Sequence, residues 1–325
     1  MNRKLLFISF LLVFVIGFSQ SKNLLGTWVL DKVFYYDGKA IEANNELFSY
    51  ELIYEISNKK IIINDRIFDA VYSDTGIYTT TRKINYEFRN DYLLIRDEGD
   101  KKYFAFLKRE NFIKKYPEFE PKKEIRNGDT LWISNPVTKP IFNSDDNILL
   151  ILSSSKTMRL SKEKDLYFKG EFVVTKNNKI KNIRIIDGYN QEQDHEYLYA
   201  LKQLEGHVNN PYGHDLLVTT EKHFLRYYDD LEDSEDKTLF KIIEKGDEYY
   251  NKQQFENAIA QFEKLKKLQI GENRFKSVID NANLRLGISY LGTNQIDKAC
   301  TTFRSIGDKT NFKVRNYLIN FCNKE

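Results

Sequence analysis

Gly246, Tyr249, Ala258 and Phe262 recur in register as Gly287, Tyr290, Ala299 and Phe303, each at an offset of 41. Self-similarity at a fixed period in this range marks stacked supersecondary units, none of which buries its apolar face alone. The chain from about Lys237 onward is therefore read as an array. Two copies are few for an array that stands by itself. Asn311 to Cys322, with Phe312, Val314, Tyr317, Leu318 and Phe321, has the apolar spacing of a closing helix. The remaining support must come from the rest of the chain or from a partner.

The chain has 325 residues, enough for two or three domains. Hydrophobic residues at 41% and charged residues at 30% give a globular balance. Net charge is only +3, and the basic residues are not clustered, so no nucleic-acid partner is expected. Asn2-Arg3-Lys4 followed by the uncharged run Leu5–Phe18, then Ser19-Gln20, reads as a secretory signal peptide over residues 1–19. An uncleaved anchor is the alternative, but the run is shorter than the roughly 20 apolar residues a spanning helix needs. No other run has spanning length, so no integral membrane segment is expected after cleavage. The expected location is the periplasm or cell envelope of a Gram-negative-type bacterium. The two cysteines, Cys300 and Cys322, are too few for a disulfide scaffold. Their spacing leaves pairing open.

Residues 24–108 are strand-like throughout. Strands are expected at Gly26–Tyr35, Tyr50–Ile56, Lys60–Asn64, Phe68–Tyr72, Lys83–Phe88, Tyr92–Arg96 and Tyr103–Leu107, separated by turn pairs such as Asp37-Gly38 and Asn90-Asp91. Short strands joined by tight turns imply a meander closed as a barrel or folded as a sandwich. The opening Leu24-Leu25-Gly26-Thr27-Trp28 with Asp37-Gly38-Lys39 resembles the start of lipocalin-like domains. That resemblance implies that Trp28 plugs one end of a barrel. It also raises the alternative of a small hydrophobic ligand carried inside, although a packed barrel without ligand is preferred.

Residues 109–128, charged and holding Pro117 and Pro121, read as a linker with one helical turn. Residues 129–230 form a middle segment. Within it, Phe168–Thr175 and Lys179–Asp187 flank Asn177-Asn178 as a hairpin, Gln191–Glu205 follows as a helix, and Leu216–Tyr228 as a strand. This order resembles the C-terminal domain of TonB energy transducers. The resemblance implies the fold and a sheet edge that pairs with peptides, but not energy transduction, because a Pro-rich spacer is missing. The acidic run Asp229–Asp236 reads as a solvated linker that favours the start of the next helix.

In residues 237–325 the repeated residues resemble the tetratricopeptide repeat. In that family the small residue and the aromatic lie on the first helix of a hairpin, and Ala with a large apolar residue lies on the second. The small residues allow close helix approach and the aromatics fill the space between hairpins. The family period is about 34 residues, so the extra residues are placed near Gln269–Arg274. The resemblance also implies that the first helix of each repeat lines a concave face. The positions at −3, +1 and +4 from each glycine are Ile243, Asp247 and Tyr250, then Leu284, Ile288 and Leu291. This largely apolar groove needs cover, from a partner peptide or from the chain's own closing helix.

Patterns that carry chemistry are weak. His195, His207, His214 and His223 have no metal-site spacing, and no metal or cofactor is expected. Ser153-x-x-Lys156 has the form of a Ser–Lys nucleophile pair without its companion elements. Asp145-Asp146 reads as a turn. No phosphate loop, nucleophile elbow or zinc-protease motif occurs. The expectation is an α+β multidomain protein that is not an enzyme. Its expected role is an envelope adaptor or scaffold, with a protein or peptide as partner. The alternatives are the small-ligand carrier and an unrecognised enzyme.

Overall fold

A computed structural model describes residues 23–39, 41–45, 47, 50–64, 66–142, 167–223, 234–270, 275–307 and 310–322. The signal-peptide reading of residues 1–19 lies outside these residues, as do Asp145-Asp146 and Ser153-x-x-Lys156. The architecture is α+β, in two compact units divided between Glu120 and Pro121.

The first unit is a closed antiparallel barrel of eight strands in sequential order. The strands are β1 (Gly26–Tyr35), β2 (Ile53–Ile56), β3 (Lys60–Ile63), β4 (Arg66–Tyr72), β5 (Gly76–Thr79), β6 (Lys83–Arg89), β7 (Tyr92–Asp97) and β8 (Lys102–Lys108). Pairing of β1 with β8 closes it, with Trp28 opposite Lys108 and Val33 opposite Phe104. Strand β5 was not expected. Its four residues sit between Ser73-Asp74-Thr75 and Thr80-Thr81, too few to display an alternating pattern. The closed ring needs it, because β4 and β6 each pair with it. Alternation along the strands sends one set of side chains inward. Trp28, Leu30, Ile56, Ile61, Ile77 and Phe106 belong to one continuous interior cluster. Trp28 is buried in that cluster, and its indole N–H donates to the Leu24 carbonyl at 2.8 Å.

Residues 109–128 are more ordered than a linker. Helix α1 (Arg109–Lys115) packs back on β1 and β8, and a 3-10 turn at Pro117–Phe119 packs on α1. Phe112 and Phe119 are fully buried there. The register of β1 slips between Leu30 and Lys32, so Asp31 stands at a bulge, and bulges re-aim side chains. Asp31, only 5% exposed, accepts from Tyr116 Oη at 2.6 Å, Lys115 Nζ at 2.8 Å and Tyr92 Oη at 2.8 Å. Burial alone would raise this carboxyl. The three donors outweigh that cost and hold it below the usual carboxylate range. The same contacts raise Lys115 against its own desolvation.

The second unit joins the middle segment and the helical segment, which had been expected as separate domains. Its mixed sheet has the order β13-β12-β15-β10-β9, formed by β9 (Lys123–Arg126), β10 (Asp129–Ile133), β12 (Tyr167–Val174), β13 (Ile180–Asp187) and β15 (Leu216–His223). Among the described residues, only the β10–β15 pair is parallel. A separate small ribbon pairs β11 (Ile141–Phe142) with β14 (Val208–Asn209). The expected hairpin, helix and strand are β12–β13, α2 (Gln191–Gln203) and β15. Strand β9 falls inside the expected linker; it and β10 were not foreseen. Helix α2 packs Tyr197, Ala200, Leu201 and Leu204 on Phe168, Phe172 and Val174. Gly170 is required where the Tyr197 ring lies, since a Cβ there would come 2.5 Å from Tyr197 Cζ.

The helices that follow are α3 (Ser234–Asn251), α4 (Phe255–Phe262), α5 (Lys276–Gly292), α6 (Ile296–Ser305) and α7 (Phe312–Tyr317), the last running into a π-turn at Leu318–Cys322. Helices α3–α4 and α5–α6 form two hairpins, and α5 also packs on α4. A Cβ on Gly246 would strike the Phe262 ring, and one on Gly287 would strike Phe303. The same contact thus recurs at the 41-residue offset. Phe275 ties this array to the middle sheet, because it packs against the α2–sheet core and edge-on to Phe240 of α3 at 5.2 Å.

Two outcomes are expected in urea unfolding. Gly287→Ala should destabilise the chain by about 1–3 kcal/mol through overpacking, and adding Phe303→Leu should recover part of that loss. Asp31→Asn should cost about 1–3 kcal/mol at neutral pH, because it replaces the charged acceptor shared by Tyr116, Tyr92 and the partly exposed Lys115. Asp31 has a depressed folded pKa, so its contribution is complete above the ordinary Asp value of about 3.9 and is lost as pH falls through the folded value. The variant should therefore lose less stability than the wild type between neutral pH and about pH 3.

Candidate functional site

The six groove positions divide into two sets. Ile243, Leu284 and Ile288 are buried by the chain itself. The expectation had left open whether a partner or the chain itself covers this groove; at these positions the chain does. The physical reason is the place of α5, which lies between the first hairpin and α6. Leu286, Gly287, Ile288, Ser289 and Tyr290 are consecutive buried positions, so this helix is covered on nearly all sides. A stripe chosen at −3, +1 and +4 from the glycine then falls partly in the interior.

Asp247, Tyr250 and Leu291 remain half-buried, and the first two interact with Arg285, a residue outside the expected stripe. Asp247 of α3 forms an ion pair with Arg285 of α5. Its Oδ2 carries that contact, whereas its Oδ1 is buried and accepts no hydrogen bond among the described residues. Burial raises the Asp247 carboxyl above its ordinary value, and Arg285 only partly offsets this. Burial also raises the Tyr250 phenol, with Arg285 opposing and Asp247 adding to the shift. The Tyr250 ring meets Phe255 edge-on at 6.1 Å.

The closing helix reaches the same place. Tyr317 stacks on Phe303 at 4.9 Å, and its phenol is raised by burial and by the nearby Tyr250 hydroxyl. Carboxylate, guanidinium and the Tyr250 phenol therefore interact across α3 and α5. Both phenols stay protonated at neutral pH. Such a set can bind a polar peptide group flanked by an apolar side chain.

The repeat residues pack as two unequal copies. Ala258, Phe262, Ala299 and Phe303 are fully buried. Tyr290 lies buried between the hairpins and donates to Glu263 Oε1 at 2.5 Å. Tyr249, on the first helix, has no hairpin before it and is only half-buried, with Lys245 Nζ 4.9 Å from its ring centre.

Histidines stand apart from this site. His195 is on α2, His207 follows that helix, and His214 stacks on Trp132 at 4.1 Å. Cys300 and Cys322 form a disulfide with a Cα–Cα distance of 5.6 Å. Sequence spacing left that pairing open; the turn after α7 decides it by returning the chain to α6. Arg285 was missed because it occupies a different helical position, from which its long side chain reaches Asp247. Compared with known protein families and with curated proteins, the chain matches none.

Leu284→Asp should abolish the helical circular dichroism of the array, since a charge at an 8% exposed position costs several kcal/mol. Leu291→Asp should retain that signal. The two spectra, taken at equal concentration, check the assignment of interior against surface.

Proposed function

We propose that this chain is an exported envelope protein that acts as an adaptor. It would hold a peptide segment of another protein on its helical array, with Asp247, Tyr250 and Arg285 as the polar anchor. The observation that carries this reading is the state of Asp247. A half-buried carboxylate with a raised pKa and an oxygen lacking a donor lowers the stability of its own fold. Groups of that kind gather where binding is the use. A peptide N–H or ammonium would complete the set.

In this reading the two hairpins are tetratricopeptide repeats, the barrel is lipocalin-like and the mixed sheet is related to the TonB C-terminal domain. The Cys300–Cys322 bridge supports export, because such bonds persist in oxidising compartments. The continuous apolar cluster inside the barrel supports a structural role there over carriage of a small hydrophobic ligand. Sheet edges contribute less. Strand β13 carries two register shifts and the charges Lys181 and Arg184, devices that discourage added strands.

The test is cross-linking capture from an envelope fraction with wild type, Asp247→Asn and Leu291→Asp. Asp247→Asn should fold with unchanged or higher stability, since it removes a strained charge, yet lose the captured protein. A captured set identical for all three chains sinks the groove reading.

A further inference from the structure

The outer wall of the barrel carries a row of side chains that crosses β6, β7, β8 and β1. Pairing sets Asn85 opposite Arg96, and Tyr103 opposite Phe34. The pair Ile95–Phe104 places Arg96 beside Tyr103, which joins the two halves of the row. All four side chains face outward, because their neighbours Ile84, Ile95, Phe104 and Val33 belong to the interior cluster. All four are half-buried. The Tyr103 and Phe34 rings stack with centroids 5.9 Å apart and planes 27° from parallel. The Arg96 guanidinium lies over the Tyr103 ring at 5.4 Å.

This guanidinium is held in place but not neutralised. Among the described residues it forms no ion pair, and its Nε is buried without an acceptor. The carboxylates on the neighbouring rows are already engaged. Glu98 accepts from Lys83 at 3.0 Å, and Glu87 accepts from Arg89 at 2.9 Å. Lys32, on the row below, is exposed and meets the Tyr92 ring rather than a carboxylate. The wall therefore presents positive charge beside an aromatic surface. Stacking on Tyr103 fixes the plane of the guanidinium, so less freedom is lost when a carboxylate docks on its Nη groups.

We propose that the row Asn85–Arg96–Tyr103–Phe34 is a docking surface for an extended acidic segment of a partner protein, with a carboxylate side chain on Arg96 and an apolar side chain on the Tyr103–Phe34 stack. The spacing fits such a segment. Adjacent strands stand about 4.8 Å apart, so the stack begins one strand from Arg96 and ends two strands from it. Side chains at i and i+2 of an extended peptide are about 6.8 Å apart, within that span. The Asn85 amide has no hydrogen bond among the described residues and stands on the other side of Arg96, where it can bond the main chain of the docked segment. This surface belongs to the first unit, and it stands or falls independently of the peptide site on the helical array.

Nuclear magnetic resonance on the isotope-labelled full chain tests the surface. The probe is the capped peptide acetyl-Glu-Thr-Phe-amide, and the control is acetyl-Gln-Thr-Phe-amide. Side-chain signals of Arg96 and Asn85 are followed, the first assigned by its loss in Arg96→Lys. Both should shift saturably with the glutamate peptide in the millimolar range. The glutamine peptide should need at least about fivefold more for half-saturation. Arg96→Gln, read at Asn85, should weaken the glutamate peptide by a similar factor while backbone signals of β6 to β8 stay in place. The comparison of the two peptides needs no mutation, so it decides even where that variant misfolds. No saturable shift up to about 10 mM, or equal half-saturation by both peptides, overturns the proposal. So does a shift centred on α3 and α5 that leaves Arg96 unmoved, which would assign acidic segments to the array instead.

Discussion

Two glycines facing two phenylalanines set the geometry on which the helical array rests. With no Cβ at Gly246 and Gly287, the rings of Phe262 and Phe303 lie directly on the backbones of α3 and α5. Full burial of such a ring contributes about 1.5–3 kcal/mol, and the close approach brings the two helices of each hairpin into contact along their length. Once both hairpins are this tight, α5 has neighbours on several sides and becomes an interior helix. The same approach brings Asp247 of α3 within reach of Arg285 of α5. The candidate site is thus a consequence of packing, placed where two helices are held closer than ordinary side chains allow.

The barrel solves a different problem. A closed ring of strands removes its own edges, but its outer face still carries apolar residues. Over β1 and β8 the cover is α1, fixed by the buried Asp31 and its three donors. Elsewhere the outer face keeps exposed residues, such as Val71 at 71%. One bulge at Asp31 suffices to turn an acidic side chain from solvent to the underside of a helix. A charge in that place is tolerated because Tyr116, Tyr92 and Lys115 all donate to it.

Much of this architecture was legible in the residues. Seven of the barrel strands, the β12–β13 hairpin, α2 and both helical hairpins follow from alternation, turn chemistry and the repeat. Elements that escaped carry weak local patterns, whereas the equally short β2 and β3 are marked by their Ile-rich residues. Strand β5 has four residues and β9 has four. Strand β10 is joined to β15 only through a parallel pairing across a long stretch of chain. At the groove positions Asp247, Tyr250 and Leu291 are half-buried and Ile243, Leu284 and Ile288 lie inside, because helical spacing names a face without saying what covers it.

The sequence by itself determined the class of each segment: an all-β part, a mixed part, and a repeated helical part with its glycine–aromatic pairs. These properties are local, set by backbone preference and by periods of two or about 3.6 residues. Tertiary structure alone decided that residues 121–325 form one unit, that Cys300 meets Cys322, and that Asp247 pairs with Arg285. Each of these joins residues far apart in sequence, and their meeting depends on how whole elements pack. Spacing along a chain records which residues share a helix face, whereas the partner across that face is chosen by the summed burial of every element that competes for it.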